Sequence, residues 1–139
     1  MLLFTNFRTL IVALVIATAT TANALPVERG VDDIINGLFN GFVTFFHPKT
    51  EGGEIGACGP KEDDNSRICA LNIHQFGKTS KSKWCNKKVQ LKRGKKTTIC
   101  TITDSCPGCK QYSIDATPAV FRDLGDENEG VISVTWQVI

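Results

Sequence analysis

The chain has 139 residues, 16 Lys and Arg against 14 Asp and Glu, six Cys and 42% apolar residues, eight of them Phe. That length fits one domain, and the apolar fraction excludes a disordered or low-complexity chain. A formal charge of +2 lacks the basic excess of an electrostatic nucleic-acid binder, so no nucleic-acid partner is expected.

Arg8 precedes the apolar run Leu10–Ala17, and Ala22-Asn23-Ala24 supplies small residues at a cleavage site. Residues 1–24 therefore read as a secretory signal peptide. The apolar run is too short to span a bilayer, which takes about 20 such residues. Cleavage after Ala24 leaves residues 25–139, expected outside the cell as a monomer without membrane attachment. Cys58, Cys69, Cys85, Cys100, Cys106 and Cys109 all remain. An even cysteine count in an oxidising compartment predicts disulfides, but spacing does not choose among the possible pairings. Cys106-Pro107-Gly108-Cys109 has the spacing of half a zinc site or of a thiol redox motif. There is no second C-x-x-C, the two histidines lie far off in sequence, and no βαβ pattern surrounds it. A disulfide is expected there, with no metal and no cofactor.

In chain order, Val31, Ile34, Ile35, Leu38 and Phe39 have helical spacing. With Asp32 and Asp33 near its start, residues 25–41 are expected to form a short amphipathic helix or an arm. From Phe42 the texture changes to short β-like runs between turn signals. Phe42–His47, Ile68–Ile73, Lys88–Lys92, Thr97–Thr103 and Tyr112–Asp115 are predicted strands, with Arg93-Gly94-Lys95 as a hairpin turn. Thr117 is placed to cap a helix with Pro118 in its first turn and Gly125 beyond its end. In Val131–Ile139, Ile132, Val134, Trp136 and Val138 alternate with polar residues, as in a strand with one buried face. Six short strands predict an all-β fold, a small closed barrel without exposed edges.

Several motifs fall in a family order: Thr44-Phe45-Phe46-His47-Pro48, Ile55-Gly56-Ala57-Cys58-Gly59, Trp84-Cys85-Asn86-Lys87-Lys88, Thr103-Asp104-Ser105-Cys106-Pro107-Gly108-Cys109, Ser113–Phe121 and Gly130–Trp136. Over residues 42–139 the chain resembles the double-psi β-barrel domain of the rare lipoprotein A type, and is similar to secreted single-domain fungal members related to expansins, loosenins and barwin. The resemblance implies a six-stranded double-psi barrel with one or two short helices and an open groove. In expansins and in inverting glycoside hydrolases of family 45 that groove binds polysaccharide. It also implies the pairs Cys58–Cys85, Cys69–Cys100 and Cys106–Cys109.

Asp104 and Asp115 fall where the family keeps its functional carboxylates, and in the hydrolases the acid at the Asp115 position donates the proton. Such a donor must retain its proton near neutral pH, which apolar surroundings achieve. Taken from the residues alone, Asp115 also suits a helix N-terminal acid and Asp104 a turn former. Thr44, Phe46, His47 and Tyr112 complete the candidate ligand-binding set, with Phe46 and Tyr112 as stacking partners. An inverting hydrolase needs a second carboxylate to activate water. The matching position here is Pro48, and Glu51 and Glu54 lie nearby in a glycine-containing loop. A non-hydrolytic protein is therefore expected, expansin-like or loosenin-like, whose partner is a cell-wall polysaccharide. The chain is expected to lack the second domain of expansins, and its affinity for intact wall to be modest. Lysines in 78–83, 87–88 and 92–96 could add a basic face for acidic wall polymers. Two alternatives stay open. One is a secreted inhibitor or effector that meets a protease or host protein through the Asn86–Lys96 hairpin and the Lys78–Lys83 loop. The other is a lytic transglycosylase, which needs only one acid, Asp115.

Overall fold

The computed structural model describes residues 37–52, 54–78 and 81–139. The expected signal peptide and most of the expected helix or arm lie outside them. Among the described residues six strands close a barrel: β1 (Leu38–Phe45), β2 (Ile68–Asn72), β3 (Lys88–Arg93), β4 (Lys96–Cys106), β5 (Ile114–Ala116) and β6 (Ile132–Val138). The order around the barrel is β1-β5-β2-β4-β3-β6. β1 runs parallel to β5 and β2 parallel to β4, and the other neighbours are antiparallel. Two short helices, α1 (Ile73–Phe76) and α2 (Pro118–Leu124), pack on it. This is the all-β six-stranded barrel that the motifs imply.

Alternation fills the interior. Ile132, Val134 and Trp136 of β6, Val89 and Leu91 of β3, and Ile114 and Ala116 of β5 are buried with Phe121 and Leu124 of α2. Three disulfides, Cys58–Cys85, Cys69–Cys100 and Cys106–Cys109, have the pairing that the resemblance implies.

Four local expectations shift. Leu38 and Phe39 belong to β1, not to a helix, because they pair with Gln137 and Trp136 of β6; strand pairing overrides a helical spacing that extends only two residues into the barrel. β2 stops at Asn72, whose side chain accepts from Gln75 N and starts α1 at Ile73. Thr117 precedes α2 but does not cap it; its hydroxyl donates to the carbonyls of Ser66 and Ile68 and ties the helix to β2. Tyr112 lies outside β5, since its φ of 65° breaks the extended run.

Candidate functional site

Directly paired residues in a sheet share a face. Thr44 pairs with Asp115, Asp115 with Ala70, and Ala70 with Asp104. These four residues make one row across β1, β5, β2 and β4, on the outer side. For Asp115 this follows from alternation, since Ile114 and Ala116 on either side are 0% exposed in the core. For Asp104 it follows from a bulge. Cys69 pairs with Ile102 but Ala70 pairs with Asp104, so Thr103 is an extra residue in β4. Strict alternation would point Asp104 inward with Ile102; the bulge turns it out beside Ala70. The two acids thus flank a small residue two strands apart, about 10 Å between Cα atoms.

Each acid is held. Thr44 Oγ1 donates to Asp115 Oδ1 at 2.6 Å. Asp104 Oδ1 accepts from the backbone N–H groups of Ala57 and Ser105, both at 2.8 Å. The Ala57 bond requires glycine at position 56, where a Cβ would sit 2.7 Å from Thr103 O and 3.1 Å from Asp104 Cβ. Burial pushes the pKa of Asp115 up against the Thr44 hydrogen bond, and the charges of Glu51 and Asp104 add to the rise. Glu62, 7% exposed and lining a separate pocket with Glu54, Lys61 and Asp63, accepts from Thr103 Oγ1 at 3.0 Å. Burial raises its pKa too, with Asp104 contributing. Carboxyls that keep protons above the ordinary range can donate to a ligand or to a leaving group.

The row opens into a cleft of about 140 Å³ lined by Phe46, Glu51, Ala70, Asp104, Pro107 and Asp115, among others. A broader groove of about 520 Å³ adjoins it, sharing Cys106 and lined by Phe42, Thr44, Cys109, Lys110 and Val131. Phe42 is 47% exposed and Val131 55%, so this stretch has an apolar floor open to solvent.

Of the expected residues, Asp104, Asp115, Thr44 and Phe46 come together. Phe46 is 8% exposed, packed with Ile68 and Ala70 and close under Gly52, so it walls the cleft and offers no free ring face. Tyr112 goes elsewhere. Its ring stacks on Phe39 at 5.5 Å and its carbonyl accepts from Trp136 Nε1 at 2.7 Å. Its backbone lies against Gly41, where a Cβ would meet Tyr112 O at 2.0 Å. His47 also turns from the cleft, with Nδ1 2.7 Å from Asp64 Oδ2, a bond that raises its pKa. Pro48 is buried at the start of a π turn, Pro48–Gly52. That turn fixes Glu51, which accepts from His47 N at 2.9 Å and lines the cleft. Phe42 was not singled out from the sequence, although the outward alternation Phe42, Thr44, Phe46 carried the signal for it, and Glu51 was named only as a nearby carboxylate in a glycine-containing loop. Cys106, Cys109 and Asp115 place donor atoms within 4.8 Å of one another, but the two sulphurs are bonded together and offer no thiolate to a metal.

A family model for double-psi β-barrels, described as "Lytic transglycolase", matches residues 67–136. Ripening-related protein 7 of Oryza sativa subsp. japonica is 29% identical over 109 residues, 68% of this chain, and this chain spans less than two thirds, 65%, of that relative. A Streptomyces papain inhibitor superposes with a TM-score of 0.64 at 23% identity, over 73% of this chain and 94% of its own. A mutant expansin of Clavibacter michiganensis, in complex with cellohexaose, superposes with a TM-score of 0.62 at 22% identity, over 73% of this chain and 50% of its own. At these identities the solved structures show the fold.

Proposed function

The chain belongs to the double-psi β-barrel family described as lytic transglycolase, and from that premise we propose that it is a secreted protein whose cleft binds a cell-wall polysaccharide without hydrolysing it. The observation that carries this is the outer row Thr44–Asp115–Ala70–Asp104, which sets two fixed acids beside an open groove with Phe42 on its floor. A sugar needs hydrogen-bonding partners for its hydroxyls and an apolar surface for its C–H face. The expansin that superposes on this barrel is one in complex with cellohexaose. Phe42 takes the stacking role in place of Tyr112. Hydrolysis would require a base opposite Asp115, and Pro48 has no acid group to supply it. Besides Asp115, the carboxylates lining that cleft among the described residues are Asp104 and Glu51; Asp104 is engaged with the N–H groups of Ala57 and Ser105, and Glu51 with His47 N.

Pull-down of the protein on cellulose, chitin and pectin, with reducing-sugar release measured alongside, tests this. Retention on at least one polymer without sugar release is expected. Release that vanishes in Glu51→Gln would make Glu51 the base and the protein a hydrolase; release of anhydro-sugars that survives Glu51→Gln but not Asp115→Asn would make it a lytic transglycosylase. A second reading, protease inhibition through the β3–β4 hairpin, is favoured by the likeness to the papain inhibitor, most of whose chain is matched. Papain inhibition without retention on any polymer would put that reading first.

A further inference from the structure

The groove holds a reactive group that polysaccharide binding leaves unused. Cys106 ends β4 and its disulfide partner Cys109 lies three residues on. Both sulphurs and a carboxylate oxygen of Asp115 lie within 4.8 Å of one another, a separation that one water bridges. Both cysteines are half-buried and line the broad groove next to Lys110. The other two bridges are placed differently. Cys69 and Cys100 are 0% and 1% exposed in the core; Cys58 and Cys85 are half-buried as well, but they pack against that core and line neither the cleft nor the groove. A thiol arriving through the groove meets only the Cys106–Cys109 bond.

We propose that Cys106–Cys109 is a thiol–disulfide exchange site for a small thiol, with Asp115 carrying the proton. The thiol enters as its thiolate and attacks one sulphur of the pair. The Cys106–Cys109 bond breaks as the mixed disulfide forms, and its electron pair leaves on the other cysteine sulphur. Protonated Asp115 gives that sulphur its proton. A second thiol molecule attacks the mixed disulfide at the sulphur of the first. The small-molecule disulfide departs, the remaining cysteine is released as a thiolate, and the proton of the second thiol reaches it while solvent reprotonates Asp115. Two thiols are oxidised to one disulfide, and Cys106–Cys109 is reduced to two thiols.

The surroundings suit both partners in this exchange. Burial keeps Asp115 protonated above the usual carboxylate range, and the charged groups around it are Glu51 and Asp104 in the cleft and Lys110 in the groove. A nearby lysine favours a thiolate. This chemistry does not depend on whether the groove binds a polysaccharide.

The test is reduction of the full chain by dithiothreitol under native conditions. Free thiols are trapped with iodoacetamide at timed intervals and located by peptide mapping across a pH series. Cys106 and Cys109 are expected to be alkylated at least about tenfold faster than the other four cysteines, with near-ultraviolet circular dichroism unchanged. Asp115→Asn is expected to slow that reaction and flatten its pH profile, and Asp115→Glu to restore both. Equal reduction rates at all three bridges in the unmodified chain would overturn the site. A wild-type rate and pH profile in Asp115→Asn would overturn the role of Asp115.

Discussion

Two groups of acids in the barrel are pushed in opposite directions. Around the β3–β4 hairpin and α2 the acids are paired with arginines. Arg93 reaches Glu129 with two nitrogens, and hydrogen bonding to it pulls the Glu129 pKa down to about 2. Arg67 and Thr98 hold that of Asp123 low. In the groove burial holds Asp115 high and beside Thr103 it holds Glu62 high; among the described residues each is hydrogen-bonded by a threonine, not an arginine. The backbone divides in the same way. β3 pairs with β4 and β6 in uninterrupted antiparallel register, whereas the groove side has both parallel pairs, the bulge at Thr103 and the π turn. Charge pairing and regular geometry hold one side together; irregular backbone and the proton-retaining Asp115 mark the side for which a ligand is proposed.

The largest effect expected is that of Gly56→Ala. The added Cβ meets Thr103 O at 2.7 Å, so the loop must lift and Asp104 loses its Ala57 partner. Overpacking of this kind costs about 1–3 kcal/mol, read from urea unfolding, and ligand affinity falls with it. Asp115→Asn comes next and acts on the pH dependence. The folded Asp115 holds a proton that the unfolded chain has already lost, so stability contributed by this group falls as pH rises from the ordinary carboxylate range through its raised folded pKa. Asparagine still accepts from Thr44 and removes that slope, so the variant melts at or above the wild-type temperature at pH 7 and gains nothing at pH 3. On the opposite side the sign reverses. Glu129 contributes stability above its unfolded pKa that is lost as pH falls toward about 2. Arg93→Ala should return Glu129 toward its ordinary range in a carboxyl NMR titration and leave ligand binding unchanged. The smallest effect is that of Lys92→Gln, an exposed position on β3, which should change stability by no more than about 0.5 kcal/mol and leave binding to neutral glycans untouched.

The regular side was the legible one. Ile132, Val134 and Trp136 announce β6 by alternation, Gly94 marks the hairpin, and Pro118 opens α2 where its fixed φ suits a first turn. On the groove side, Asp115 was legible both from the resemblance and from its place between Ile114 and Ala116. Asp104 was legible only from the resemblance, because one extra residue at Thr103 reverses the face that alternation predicts. Tyr112 misled because nothing in Lys110–Ser113 signals a left-handed residue that is not glycine. Glu51 was passed over because its neighbours Gly52 and Gly53 read as a loop, while the Glu51 carboxylate itself closes the turn on His47 N.

Calorimetric titration of cellohexaose into the protein and into Asp115→Asn, at one pH with both folded, tests the central claim most directly. Binding to the wild type that weakens at least about tenfold in the variant, a change of ~1.4 kcal/mol, is the predicted result. Equal affinity in the two proteins would contradict it and leave Asp115 without a part in holding the sugar.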